Sequence, residues 1–163
     1  MHTPQTILII GAGTKGRFLA SRLSSGADRV VLCDAEAAVA GDAVTEILAT
    51  HPAAQVEAMQ CSYDAAWEAD IIVLALPAAD HAVVVDSIRP VACRKIVVTT
   101  ARNRHELESL LPHSAIVDAF AGTLQPDETV HMAGSSRDAL DVVARLARNA
   151  GLQVGQLTPS SLF

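Results

Sequence analysis

Three glycines and one aspartate carry the chemistry that is easiest to read from this chain. Gly11, Gly13 and Gly16 fall in the spacing G-x-G-x-x-G, and Asp34 stands eighteen residues after the last of them. Alone the pattern is weak, because nine glycines among 163 residues produce such spacings by chance. Its surroundings strengthen it. An apolar strand from Thr6 runs into Gly11, an amphipathic helix bearing Phe18, Leu19 and Leu23 follows, and a second strand, Arg29 to Cys33, delivers Asp34. The dinucleotide-binding fingerprint needs that order.

Each part has a physical reason. Gly11 suits a sharp strand-to-helix turn, Gly13 removes a Cβ where backbone approaches a pyrophosphate, and Gly16 lets the helix pack closely on the sheet. The free amides of the first helical turn and its positive dipole end make an anion site of the loop Gly11-Ala12-Gly13-Thr14-Lys15-Gly16 without a basic side chain. Lys15 suits either a phosphate contact or a solvated place on that turn. Asp34, with Ala35 beside it, is expected to accept hydrogen bonds from an adenosine ribose. The plainer alternative is an ordinary βαβ unit with a glycine turn.

The elements that must position these residues alternate along the whole chain. Ala35 to Thr50 has helical spacing and ends at His51-Pro52, where the histidine is expected at the surface. A third strand is predicted within Gln55 to Gln60. A short helix, Tyr63 to Glu68, carries the single tyrosine and the single tryptophan, Trp67, both expected to be packing residues. The run DIIVLAL, Asp70 to Leu76, lacks alternation and so predicts a strand covered on both faces. Its carboxyl end puts Leu76, Pro77 and Ala78 near a bound dinucleotide. The next helix opens at Ala79-Asp80-His81, with Asp80 a candidate N-cap or first-turn acid, and continues through Ile88. His81 is a candidate catalytic group, but with no partner readable from sequence a helix-surface histidine is the simpler expectation.

A fifth strand, Arg94 to Thr100, delivers a polar rim. Thr99, Thr100 and Asn103 suit a ribose or an amide, and Arg102 and Arg104 an anionic substrate; equally, the segment is a polar loop that caps helix Arg104 to Leu111. A sixth strand, Ser114 to Phe120, leads to a rim loop Ala121-Gly122-Thr123. A strand from Thr129 to Ala133, a helix ending at Ala150 with Gly151 behind it, and a strand from Leu152 to Leu157 complete the pattern. The fold class that follows is α/β: a single three-layer domain over 1–163, doubly wound around a mostly parallel sheet of about eight strands.

Composition sets the outer limits. Half the residues are hydrophobic and 3% aromatic, so the core is one of Ala, Val, Leu and Ile. A net charge of −6 with no Lys/Arg cluster argues against a nucleic-acid partner. No apolar run approaches the roughly 20 residues of a membrane span, and the expected place is the cytoplasm. Cys33, Cys61 and Cys93 lie far apart without histidine spacing, so neither a disulfide framework nor a metal site is expected.

The order of motifs resembles the family of F420-dependent NADP reductases and related dinucleotide-binding oxidoreductases. The resemblance rests on GAGTKG at Gly11 to Gly16, ADIIVLALP at Ala69 to Pro77, KIVVTT at Lys95 to Thr100, VDAFAGT from Val117, and VHMAGSSRDALDVVARLARNAGLQV at Val130 to Val154. It implies hydride transfer between a nicotinamide and a deazaflavin or other small acceptor, with no obligatory acid or base and with the work done by positioning two rings. Pro77, Ala78, Thr99 and Phe120 match places that line the nicotinamide side in such proteins. NADP-using members have a small hydroxylated residue and an arginine after the second strand; here stands Asp34-Ala35-Glu36, which repels a 2′-phosphate and predicts NAD over NADP, with F420 as a possible partner cofactor. Members continue into a small helical domain where this chain reaches Phe163. That leaves two functional expectations: an oxidoreductase whose second wall comes from a homo-oligomer partner, or a non-catalytic dinucleotide-binding sensor or accessory subunit.

Overall fold

The computed structural model describes residues 5–25, 28–122, 125 and 128–159, so Thr123 of the expected rim loop and both chain ends lie outside the described residues. Strand β1 (Thr6–Ile10) has the sequence TILII, and from Ile7 onward every residue is buried. Its alternate side chains enter two different cores, Ile7 and Ile9 one, Leu8 and Ile10 the other. A strand covered on both faces needs apolar residues at every position.

Seven further strands complete the sheet: β2 (Arg29–Cys33), β3 (Val56–Ala58), β4 (Ile71–Leu74), β5 (Ile96–Thr99), β6 (Ala115–Asp118), β7 (Thr129–Gly134) and β8 (Gln153–Pro159). Their order is β3-β2-β1-β4-β5-β6-β7-β8. The first six run parallel, β7 is antiparallel to β6, and β8 is parallel to β7. Chain order reverses between β1 and β4, where a doubly wound sheet opens its ligand crevice.

Helices α1 (Thr14–Ser24), α2 (Ala37–Thr50) and α6 (Arg137–Asn149) cover one face through Leu19, Leu23, Ala43, Ile47, Leu140 and Val143. The other face is covered by α3 (Ser62–Glu68), α4 (His81–Ile88) and α5 (Arg104–Leu110) through Ala65, Ala66, Val85, Ile88 and Leu107. Ser136 starts α6 by accepting the Ala139 amide at 3.1 Å. Gly151, at φ +81°, ends it, with the Leu152 amide donating back to the Ala147 carbonyl at 2.9 Å.

Several expectations need correction. Helix α2 starts at Ala37, not Ala35, because the Asp34 carboxylate takes the Glu36 amide at 3.0 Å, which bends the chain at Ala35 and leaves Glu36 extended as the N-cap. Strand β3 shrinks to three residues at the sheet edge, where only β2 pairs with it. Asp80 does stand at the N-cap position of α4 but makes no side-chain cap; it is the acidic residue of a 3-10 turn, Ala78–Asp80, that leads into the helix. Tyr63 and Trp67 are not packing residues: they are 43% and 69% exposed, since α3 seats only its alanines on the sheet. His51 is exposed as expected. No helix among the described residues is long and apolar enough to cross a membrane.

Candidate functional site

The glycine loop lies at the carboxyl end of β1 and is held in place from both sides. The Gly11 amide donates to the Cys33 carbonyl at 2.8 Å, the Ala75 amide to the Ile10 carbonyl at 2.9 Å, and the Ala12 amide to Asp34 Oδ2 at 2.8 Å. Arg17 pins the loop from behind, its Nε donating to the Ala12 carbonyl at 2.9 Å while Nη1 meets Glu46 Oε2 at 2.7 Å. Gly11 has φ +108°, and a Cβ there would stand 2.5 Å from the Ala75 carbonyl oxygen. Gly16 is required for a different reason from the one expected. Its Cβ would fall 1.8 Å from the Gly11 carbonyl oxygen, so it is the turn itself, more than the sheet, that α1 must approach.

Gly13 stands at the N-cap of α1 with open space where its Cβ would be. Helix α1 has neither a side-chain cap nor an acidic residue in its first turn, which leaves its leading amides and dipole facing outward. Thr14 is exposed and Lys15 half-buried. Partial burial and the neighbouring Arg102 charge push the Lys15 ammonium below its ordinary value, so two cations share this side of the loop.

Two grooves lie at the carboxyl ends of the strands. One, of about 470 Å³, is lined on its β2 side by Cys33, Asp34 and Ala35 and on its α4 side by Leu76, Asp80 and Val84. The second, of about 390 Å³, lies beyond β6 and takes Arg102, Asp118 and Phe120 on one wall. Its other wall is β7. That strand pairs with β6 only through Gly134 and Ala133, so Thr129 to Met132 overhang the rim and present Thr129 and His131 to the groove. The His131 Nδ1 accepts the Gln156 amide at 3.1 Å, and Gly155 makes room for the ring. Neither residue was singled out from sequence, although Thr129 and His131 alternate with buried Val130 and Met132.

Between the grooves, the polar rim residues face inward. Thr99 and Thr100 are 0% and 7% exposed; Thr100 Oγ1 donates to the Leu74 carbonyl, and Thr99 Oγ1 donates to Asn103 Oδ1 at 2.5 Å. Asn103 does not cap α5 with its side chain. Its Nδ2 donates instead to His81 Nδ1 at 2.9 Å, and the His81 Nε2 donates to the Leu76 carbonyl at 2.9 Å. His81 is therefore no helix-surface histidine: it is completely buried. Arg104 is also withdrawn, 6% exposed, with Nη1 3.2 Å from Glu108 Oε2 and Nε 3.5 Å from Asp118 Oδ2. Arg102 stays exposed at φ +57° and has no ion pair among the described residues. Pro77 and Ala78 are exposed at the rim, whereas Phe120, at φ +60°, is buried.

Burial raises the Asp118 carboxyl above its ordinary 3.8, against the opposing pull of Arg104 and His105. Burial likewise pushes the Cys33 thiol up to about 11. All three cysteines are free. Among the described residues, no group of three His, Cys, Asp or Glu side chains is placed to hold a metal ion.

A family model described as NADP oxidoreductase, coenzyme F420-dependent, matches residues 6–103, more than half of the chain. No curated protein matches the chain significantly. Among solved structures, a hypothetical protein from Sinorhizobium meliloti superposes with a TM-score of 0.74 at 21% identity, covering 96% of this chain and 86% of that one. A putative F420-dependent NADP reductase from Arthrobacter sp. FB24 gives 0.76 at 18% identity, covering 94% and 85%. Prephenate dehydrogenase from A. aeolicus, in complex with hydroxyphenyl propionate and NAD+, gives 0.71 at 14% identity, and this chain spans 61% of its length. At these identities the likeness is one of fold.

Proposed function

The chain belongs to the F420-dependent NADP oxidoreductase family, a family of dinucleotide-binding oxidoreductases, and on that premise we propose that it binds NAD in preference to NADP and passes hydride between the nicotinamide and a small acceptor. The observation that carries this reading is the position of Asp34, whose carboxylate both closes the glycine loop and lines the 470 Å³ groove beside it. Adenosine occupies that groove, with its ribose hydroxyls on Asp34 and its flank against Ala35 and Leu76. The pyrophosphate crosses the Gly11–Gly16 loop, where the amides after Gly13 and the Lys15 ammonium meet it.

The nicotinamide then lies on the β4 and β5 side, over Pro77, Ala78 and the rim after Thr99, with Phe120 beyond it. Thr99 and Thr100 serve this end as backbone supports, since their hydroxyls are spent inside the protein. The acceptor enters the groove beyond β6. There Arg102 offers a guanidinium with no ion pair among the described residues, and β7 forms a wall within the same chain. A second copy of the chain closes the side that β7 leaves open, and the protein acts in the cytoplasm. Preference for NAD follows from charge: a 2′-phosphate would meet the Asp34 carboxylate, and Arg17, which holds the Ala12 carbonyl, is already paired with Glu46.

Titration calorimetry of the purified protein with NAD, NADH, NADP and NADPH, with the mass in solution measured alongside, tests the reading. Saturable binding with NAD ahead of NADP is expected, and turnover with NADH is then screened against F420 and small organic acceptors. Binding without any turnover would favour a dinucleotide sensor or accessory subunit. No binding of any of the four would overturn the assignment.

A further inference from the structure

His81 is the most deeply buried titratable side chain of the rim, at 0% exposure, and it touches neither groove. An imidazole without partners in such a place costs free energy, so both of its nitrogens must be satisfied. They are. The Leu76 carbonyl only accepts, which puts the ring proton on Nε2; Nδ1 is then left to accept from Asn103 Nδ2. Asn103 Oδ1 accepts the Thr99 hydroxyl proton, and the Thr99 oxygen accepts the Ala101 amide at 3.1 Å. Every donor and acceptor has one polarity, and the chain runs in one direction from Ala101 to Leu76.

Its ends decide its meaning. A buried leucine at position 81 would hold α4 on the sheet as well as an imidazole does. The polar chain instead links the loop after β4 to the loop after β5, twenty-two residues away from His81 at Asn103. On one side its neighbours Leu76, Asp80 and Val84 line the 470 Å³ groove; on the other, Arg102, between Ala101 and Asn103, lines the 390 Å³ groove. A ligand that occupies the 470 Å³ groove alone is indifferent to the distance between the two rim loops. A whole dinucleotide is not, because its nicotinamide end must also lie over the rim that both loops form, at a fixed span from the adenosine.

We propose that His81 is a positioning residue that, through Asn103 and Thr99, fixes the spacing of the two rim loops and so seats an intact dinucleotide that reaches from the adenosine groove onto both of them. This rests on the dinucleotide reading given above. It makes His81 neither a catalytic group nor a mere core filler.

The test compares an intact dinucleotide, NADH, with ADP, which fills only the adenosine and phosphate positions. His81→Leu keeps the volume and removes both hydrogen bonds, and it is expected to weaken NADH about tenfold while ADP stays within about twofold. His81→Gln offers one donor and one acceptor and should regain most of the loss. Asn103→Leu breaks the same chain without touching α4; it should reproduce the selective loss of NADH and add little to His81→Leu in the double variant. Thermal unfolding of each variant shows that it is folded, and if His81→Leu is not, the Gln and Asn103 variants carry the comparison. Equal weakening of NADH and ADP, or no weakening of either, would overturn the spacing role while leaving dinucleotide binding in place. A wild-type protein that binds neither NADH nor ADP would overturn both.

Discussion

Asp34 holds the Ala12 amide, its Oδ2 accepting that N–H at 2.8 Å, so the residue assigned to the ribose is also a strut of the glycine loop. Its Oδ1 meanwhile takes the Glu36 amide. The two roles separate by substitution. Asp34→Asn keeps an oxygen for the Ala12 amide and removes the charge, whereas Asp34→Ala removes both. We expect Asn to weaken NAD by roughly tenfold and to narrow its advantage over NADP, the loss of one charge-assisted hydrogen bond. Asp34→Ala should weaken all four nucleotides further, because the loop is released. An unchanged NAD to NADP ratio in Asp34→Asn, measured by calorimetry, would remove Asp34 from the ribose site.

Gly13 and Gly16 separate binding from folding. A side chain at Gly13 meets open space, while one at Gly16 meets the Gly11 carbonyl oxygen at 1.8 Å. Gly13→Val is therefore expected to unfold within about 0.5 kcal/mol of the wild type yet to lose dinucleotide binding, since its methyls occupy the pyrophosphate position. Gly16→Ala should lose about 1–3 kcal/mol of stability through forced displacement of the turn. Denaturant unfolding and NADH titration of the two variants check the pair. A Gly13→Val protein that binds NADH normally would move the pyrophosphate elsewhere.

The three thiols should divide two to one. Cys61 and Cys93 are exposed, and Cys33 is buried with its thiol raised to about 11 by desolvation. A thiol reagent at neutral pH is expected to modify two cysteines quickly in the folded protein and the third only on unfolding. Saturating NAD should leave Cys61 and Cys93 reactive. Rapid modification of all three in the native protein would contradict the burial of Cys33 at the end of β2.

What was legible in the sequence was whatever depends on local periodicity. The apolar runs of β1 and β4 named a sheet covered on both faces, and the Gly11–Gly16 spacing named the tight turn at the carboxyl end of β1, beside which Asp34 stands. What was not legible depends on pairs far apart in the chain. No local signal joins His81 to Asn103, or seats Arg104 against Asp118, so a buried histidine read as a surface one, and Arg104 stayed open between a substrate contact and the start of a capped helix. Trp67 misled in the opposite direction: its apolar type suggests packing, but only the tertiary arrangement shows that Ala65 and Ala66 already fill the α3 contact. As the single tryptophan, it gives a direct check. Its fluorescence should resemble that of free tryptophan in water and be readily quenched by iodide, whereas a blue-shifted, shielded emission would restore the packing assignment.

Asp118 provides a pH signature of the groove beyond β6. Burial raises its carboxyl above 3.8 despite Arg104 and His105, and its Oδ1 is buried without a hydrogen-bond partner among the described residues. A carboxyl raised on folding contributes stability that is fully present below 3.8 and is lost as the pH climbs through the higher folded-state value. Other carboxylates contribute in the opposite sense, so the signature lies in a difference. The stability of Asp118→Asn relative to wild type should rise as the pH is raised from below 3.8 toward neutrality, then level off once the wild-type carboxyl is fully ionised. Arg104 bounds the effect, because the Asn variant forfeits its ion pair with that guanidinium at every pH where Asp118 is charged. Denaturant unfolding of both proteins across the acid range is the measurement. A difference that falls with rising pH would mean that Arg104 outweighs burial and holds Asp118 ionised at the mouth of the groove.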